Sequence, residues 1–107
     1  MVVKRSEVWM VQLNPTIGSE LKKLRPCVIV SPDEANNYLN TVTITPLTST
    51  IRSYPSRVNC IFDHKKGQVA IDQIRSVDKE RLIKKLGVMD KRTTEQLFNL
   101  LQEYFRY

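Results

Sequence analysis

Apolar and polar residues alternate with a period of two in several short segments of the chain before residue 90. Glu7 to Leu13 sets Val8, Met10 and Gln12 on one side and Trp9, Val11 and Leu13 on the other, which predicts a first strand ended by Asn14-Pro15. Cys27 to Val30 is a short continuous apolar run and predicts a buried second strand. Thr41 to Thr45 is strictly alternating and β-branched, a third strand that Pro46 is expected to stop. Ser56 to Phe62 and Gln68 to Ile71 predict two more strands joined by a turn over Asp63 to Gly67. Ile74 to Val77 and Lys85 to Met89 complete the set. Ser31-Pro32-Asp33-Glu34 has the order of a helix start, with Ser at the cap, Pro at the first helical position and acids in the first turn. A turn of helix is expected over Lys79 to Leu82. From Thr93 the period changes: Leu97, Leu100, Leu101, Tyr104 and Phe105 recur at helical spacing, with Thr93 and Gln96 placed as a capping box.

Short strands, no βαβ rhythm and a terminal amphipathic helix predict a mainly β domain spanning residues 1–107: a small curled antiparallel sheet or barrel with a helix packed on it. Between the first two strands lies Pro15 to Arg25, with Gly18 and no apolar period. A loop of that length in a small domain usually serves function. At its end, Arg25 precedes Pro26, and a residue before proline is biased toward extended backbone. Its side chain is thereby oriented at the mouth of a buried strand.

Composition sharpens this picture in three respects. The 107 residues carry 17 basic and 11 acidic side chains, a net charge of +6, spread as +1 over residues 1–35, +3 over 36–76 and +2 over 77–107. Such a chain favours polyanions or acidic protein segments. Cys27 and Cys60 both fall in strand-like segments without CxxC spacing, which predicts buried reduced thiols, and with His64 as the single histidine there are too few soft ligands for a zinc site. No apolar run approaches the ~20 residues of a membrane span and no signal-peptide pattern opens the chain, so no membrane association and a cytoplasmic location are expected.

The candidate chemistry is that of RNA. The 2′-hydroxyl of RNA can attack its neighbouring phosphate, and a protein need supply only a base, charge stabilisation and an acid. Arg25 has the fork that holds two phosphoryl oxygens, although an arginine paired with a surface acid fits the local pattern too. Thr48 offers a hydroxyl in Pro46-Leu47-Thr48-Ser49, as a phosphate donor or as a turn residue. Glu20 is the nearest carboxylate to Arg25 and the candidate base, or else a solvated loop acid. Asp72 and Gln73 could read base edges or hydrogen-bond across the sheet. Arg52, Arg57 and Arg75 are either phosphate contacts or solvated charges, Trp9 is assigned to the core or an interface, and His64 to a charged turn.

Read together, Glu7-Val8-Trp9, Gly18-Ser19-Glu20, Arg25-Pro26, Pro46-Leu47-Thr48-Ser49, Asp72 to Asp78, Arg81-Leu82 and Leu86-Gly87 resemble, in this order and spacing, the MazF/PemK family of toxin endoribonucleases. The resemblance implies an SH3-like antiparallel β-barrel with a short helix after the second strand and a C-terminal helix. It implies a homodimer cutting single-stranded RNA without metal or cofactor, leaving a 2′,3′-cyclic phosphate and a 5′-hydroxyl. Its catalytic arginine, threonine and glutamate fall on Arg25, Thr48 and Glu20, and its RNA-binding positions on Ile17, Ser19, Lys22, Ser49, Arg52, Asp72 and Gln73. An arginine that shares the acid role in some members is Ala70 here. The family's antitoxins cover the RNA site with an acidic, disordered tail, in keeping with the basic charge. Two alternatives remain: a barrel that binds RNA or peptide without cutting, and the gyrase-directed toxins of the same fold, whose Trp-Gly-Ile end differs from Tyr104-Phe105-Arg106-Tyr107.

Overall fold

The run Cys27 to Val30 is apolar throughout because the strand that carries it is buried on both faces. In the computed structural model, which describes residues 1–13 and 23–107, this strand, β2 (Leu24–Ile29), lies between β1 (Glu7–Gln12) and β3 (Thr41–Thr48). Successive side chains of a strand face opposite ways, and two cores result. Trp9, Val11, Cys27, Ile29, Val42 and Ile44 enter one, with Leu82 and Val77. Val8, Val28 and Val30 enter the other, with Val58, Cys60, Val69 and Ile71.

The remaining strands are β4 (Arg57–Phe62), β5 (Lys65–Ala70), β6 (Arg75–Asp78) and β7 (Leu82–Val88). All pairings are antiparallel, in the order β4-β5-β3-β2-β1-β7, with β6 also on β3. On one edge β3 changes partner: Thr41 to Ile44 pair with β6, and Leu47 and Thr48 with β5. That switch curls the sheet into a half-barrel.

The switch also explains why Pro46 does not end the third strand as its lack of an N–H had suggested. It is buried at the gap between the two ladders, where no pairing on that edge asks it for a donor. Pro26 is accommodated similarly. It pairs with Met10 on β1, while the ladder to β3 begins only at Cys27. Arg25 therefore belongs to β2 itself, opposite Val11, rather than to the preceding loop.

Two helices complete the fold. In α1 (Asp33–Tyr38) the cap position is Pro32, with no side-chain cap. Ser31 instead donates its hydroxyl to buried Asn36 Oδ1 at 2.5 Å and accepts the Thr43 N–H at 3.0 Å, tying the helix to β3. The C-terminal helix, α2 (Lys91–Phe105), is capped by Asp90, whose carboxylate accepts the Thr93 N–H at 3.0 Å, so Thr93 is the third residue of the first turn and not the cap. Leu97 and Leu101 are buried in the second core, and Leu100 and Phe98 pack beside it. Tyr104 and Phe105 continue the stripe but stay exposed. The β4–β5 turn is only Asp63-His64, both with positive φ (52° and 63°), the geometry of a two-residue type I′ hairpin, and β5 starts earlier than the glycine signal implied.

Candidate functional site

The register of β2 on β3 is Cys27 to Pro46, Val28 to Thr45 and Ile29 to Ile44. Continued by two residues, it sets Arg25 opposite Thr48. Both line one open cavity of about 750 Å³, with Ser49 and Thr50 from the chain after β3 and Lys65 and Lys66 from β5. Its floor is apolar: Met10, Phe62, Leu86 and Val88. Among the described residues the Arg25 guanidinium makes no hydrogen bond, so its donors remain for a ligand. Thr48 Oγ1 accepts the Thr50 N–H at 3.1 Å, which leaves the hydroxyl proton to be donated. Three cations against Asp63 make this a seat for an anion.

Cys60 also lines the cavity, but burial, and then the Asp90 carboxylate, push its thiol up to about 11. Burial likewise raises Cys27 to about 12, with Arg25 and Arg75 pulling weakly the other way. Both are protonated at neutral pH and behave as small core residues. Trp9 is buried and donates Nε1–H to Glu7 Oε1 at 3.1 Å. Burial raises the Glu7 carboxyl, but Lys85, the Lys4 N–H and Trp9 outweigh it and leave it below the usual range.

Ile17, Ser19, Glu20 and Lys22 lie outside the described residues. The ends of their segment are fixed: the Leu13 N–H donates to Lys23 O at 2.9 Å, and Gln12 faces Leu24. Arg81 and Arg75 donate to Gln12 O and Leu13 O, each at 3.2 Å, and Arg75 is otherwise an exposed strand charge.

Arg52, Asp72 and Gln73 are not on the cavity wall. Asp72 accepts a fork from Arg57, at 2.8 and 3.3 Å, and the Ser56 hydroxyl at 2.9 Å. Arg57, with 6% of its side chain exposed, is neither a phosphate contact nor a solvated charge. The exposed Gln73 ends a 3-10 turn, Ile71–Gln73. His64 is the second residue of the β4–β5 turn, as its charged surroundings suggested.

The Arg57 fork holds the Asp72 carboxyl below its ordinary value of 3.8. A carboxylate lowered in the folded state contributes stability that is complete above its unfolded pKa and disappears as pH falls through the folded one. Stability measured by urea unfolding is therefore expected to decline as pH drops below about 4. Asp72→Asn, which cannot be protonated, should flatten that decline; an unaltered slope would show that the pair does not hold the fold at low pH.

Sequence reasoning passed over Gly67 and Gln68. A Cβ on Gly67 would stand 2.7 Å from Thr48 O, so β5 can lie against Thr48 only because the position has no side chain. Gln68, paired with Thr48 across the ladder, is buried. The available signal was a polar residue leading the apolar run Val69-Ala70-Ile71. Gly67→Ala is expected to displace Thr48 with the fold retained, because the backbone oxygen 2.7 Å from the new Cβ must give way. Amide chemical shifts around Thr48 beside a circular dichroism melt check this, and unmoved shifts would show that β5 can yield without moving Thr48.

The structure is thus a small antiparallel half-barrel with an arginine and a hydroxyl on the wall of one cavity that three cations line. Residues 4–105 match the family described as PemK-like, MazF-like toxin of type II toxin-antitoxin system, and the chain belongs to that family. It is 34% identical over 111 residues to endoribonuclease MazF9 of Mycobacterium tuberculosis, covering 94% of each chain. It is 28% identical over 108 residues to endoribonuclease EndoA of Bacillus subtilis, covering 95% of this chain and 93% of that one. In fold it is similar to a mycobacterial endoribonuclease solved in complex with its cognate antitoxin, with a TM-score of 0.80, 23% identity and 98% of both chains covered.

Proposed function

We propose that this chain is the toxin of a type II pair and acts as an endoribonuclease on single-stranded RNA. The observation that carries the reading is that Arg25 and Thr48 line one cationic cavity, in a chain matched nearly end to end by relatives named endoribonucleases.

In the proposed reaction the 2′-hydroxyl attacks the adjacent phosphorus. The P–O2′ bond forms, the P–O5′ bond breaks, and the products are a 2′,3′-cyclic phosphate and a 5′-hydroxyl. Glu20 takes the 2′ proton. Arg25 holds the two non-bridging oxygens through its fork as negative charge accumulates on them, and Thr48 donates to one of the same two. Ala70 is fully buried and has no donor to offer the leaving oxygen. Arg25 then serves as the acid too: it gives a guanidinium proton to the leaving O5′ and is reprotonated from water, to which Glu20 returns the 2′ proton. The nucleophile belongs to the RNA, so the scheme needs no metal.

Ser49 and Arg52 on the chain after β3, Asp72 and Gln73 on the 3-10 turn, and Ile17, Ser19 and Lys22 are the proposed RNA contacts. The +6 charge suits an antitoxin whose acidic tail competes for the same cavity. A homodimer and a cytoplasmic location belong to the same proposal. Incubating the purified chain with a long unstructured RNA in EDTA, and mapping the fragment ends, tests it. Discrete cuts with 5′-hydroxyl ends are expected, whereas RNA bound but left whole would make the chain a binding module.

A further inference from the structure

Gln68 is 4% exposed, yet it is polar at both ends of its amide and makes contacts that no core residue needs. Its Oε1 accepts the Arg52 N–H at 3.1 Å and its Nε2 donates to Arg52 O at 3.1 Å. The side chain thus copies the two-point pairing that a neighbouring strand would give, to a stretch of chain with no strand beside it. Nε2 also donates to Asn59 Oδ1 at 3.0 Å, which fixes the amide's orientation.

Arg57 extends the same network. Its Nη1 lies 3.4 Å from Thr50 O and from Gln68 Oε1, its Nε and Nη2 fork onto Asp72, and its guanidinium lies 5.1 Å from the centre of the Tyr54 ring. Two segments outside the regular ladders, Ser49 to Tyr54 and Asp72-Gln73, are thereby tied to one guanidinium and one amide. The first of them starts at the cavity, where Thr50 also donates to Thr48.

The Arg57 side chain is buried while its partner Asp72 is exposed, and an ion pair with one end in water contributes little to stability, so stability alone is a weak reason for the arrangement. Geometry is a stronger reason. Single-stranded RNA is read by hydrogen bonds to the edges of splayed bases, and a site built to pair such groups rejects the wrong partner only while its own donors and acceptors hold their places. We infer that Gln68 and Arg57 are positioning residues for sequence preference: they hold the Ser49–Arg52 stretch and the Asp72–Gln73 turn as one rigid edge against which the bases beside the cut are read. This rests on the ribonuclease reading above. Neither residue touches the reacting phosphate.

A purely structural role would lower the melting temperature and leave the preferred cut site unchanged in whatever enzyme remains folded. The test therefore reads preference. Full-length wild type and Gln68→Met, which keeps the volume and removes all the hydrogen bonds of the amide, are given a randomised RNA pool, and fragment ends are sequenced at equal extents of cleavage. Kinetics follow on the preferred RNA and its single-base variants. Discrimination between the preferred site and its best single-base variant is expected to fall about tenfold, with KM affected more than kcat.

Should Gln68→Met fail to fold by circular dichroism, Asn59→Ala, which removes the acceptor that orients the Gln68 amide, is expected to relax preference in the same direction. A folded variant that keeps the wild-type preference and discrimination overturns the inference and leaves the ribonuclease reading standing. Wild-type protein that leaves RNA whole overturns both.

Discussion

Arg25→Ala is expected to lower the rate of RNA cleavage by a factor of at least about 10³, the scale on which an arginine stabilises a phosphoryl transition state. The position explains why the loss should be so large. Arg25 is held in β2 by pairing with Val11 and by Pro26 after it, so its backbone gives the side chain a fixed origin. Among the described residues its guanidinium makes no hydrogen bond, and the fold forgoes nothing when it is truncated. Unfolding by urea should accordingly change little while cleavage falls by about 4 kcal/mol in the barrier. Arg25→Lys separates charge from shape. A lysine keeps a positive charge in the cavity but loses the planar fork, and should recover only part of the rate. Cleavage at the wild-type rate by folded Arg25→Ala would remove Arg25 from the reaction.

What the sequence made legible was governed by local rules. Alternation located the strands because each strand's two faces enter different environments, and helical spacing from Thr93 onward located α2 with Leu97 and Leu101 on its buried side. The prolines were harder to interpret. Whether Pro26 or Pro46 interrupts a strand depends on what lies on the edge it faces, and that is set by β3 changing partner, a tertiary event. Gly67 drew the turn toward itself because glycine is the usual turn residue. The chain instead turns through Asp63-His64 and uses Gly67 for close approach to Thr48.

The candidate site divides in the same way. Arg25 and Thr48 are 23 positions apart in sequence, and the pairing of β2 with β3 is what brings both to the wall of one cavity. Arg57 has the composition of a surface strand charge, but its cross-strand partner is Ala70, one residue before the turn that carries Asp72. That adjacency buries it in an ion pair. Gln68 gives so weak a signal in sequence because one glutamine in a strand does not announce which backbone its amide will grip.

Thr48→Ala is the other change expected to act on the chemistry directly, lowering kcat by about 10²- to 10³-fold, as removal of one donor to a developing oxyanion does. Two effects must be separated, because Thr48 Oγ1 both accepts the Thr50 N–H and carries the proton proposed for the phosphate. Thr48→Ser retains both functions and should stay within about tenfold of wild type, since only a methyl group is lost and the hydroxyl geometry survives. Thr48→Ala loses both, and the Thr50 N–H at the cavity rim is then left to water. A donor to the transition state lowers kcat and kcat/KM together, while a donor that serves only to hold RNA raises KM and spares kcat. Single-turnover cleavage with saturating protein, beside RNA affinity measured with a 2′-deoxy substitution at the cut site, distinguishes the two. Loss confined to the chemical step would keep Thr48 beside Arg25 in the reaction. Loss confined to affinity would move it to the binding surface and leave Arg25 as the described group that stabilises the phosphorane.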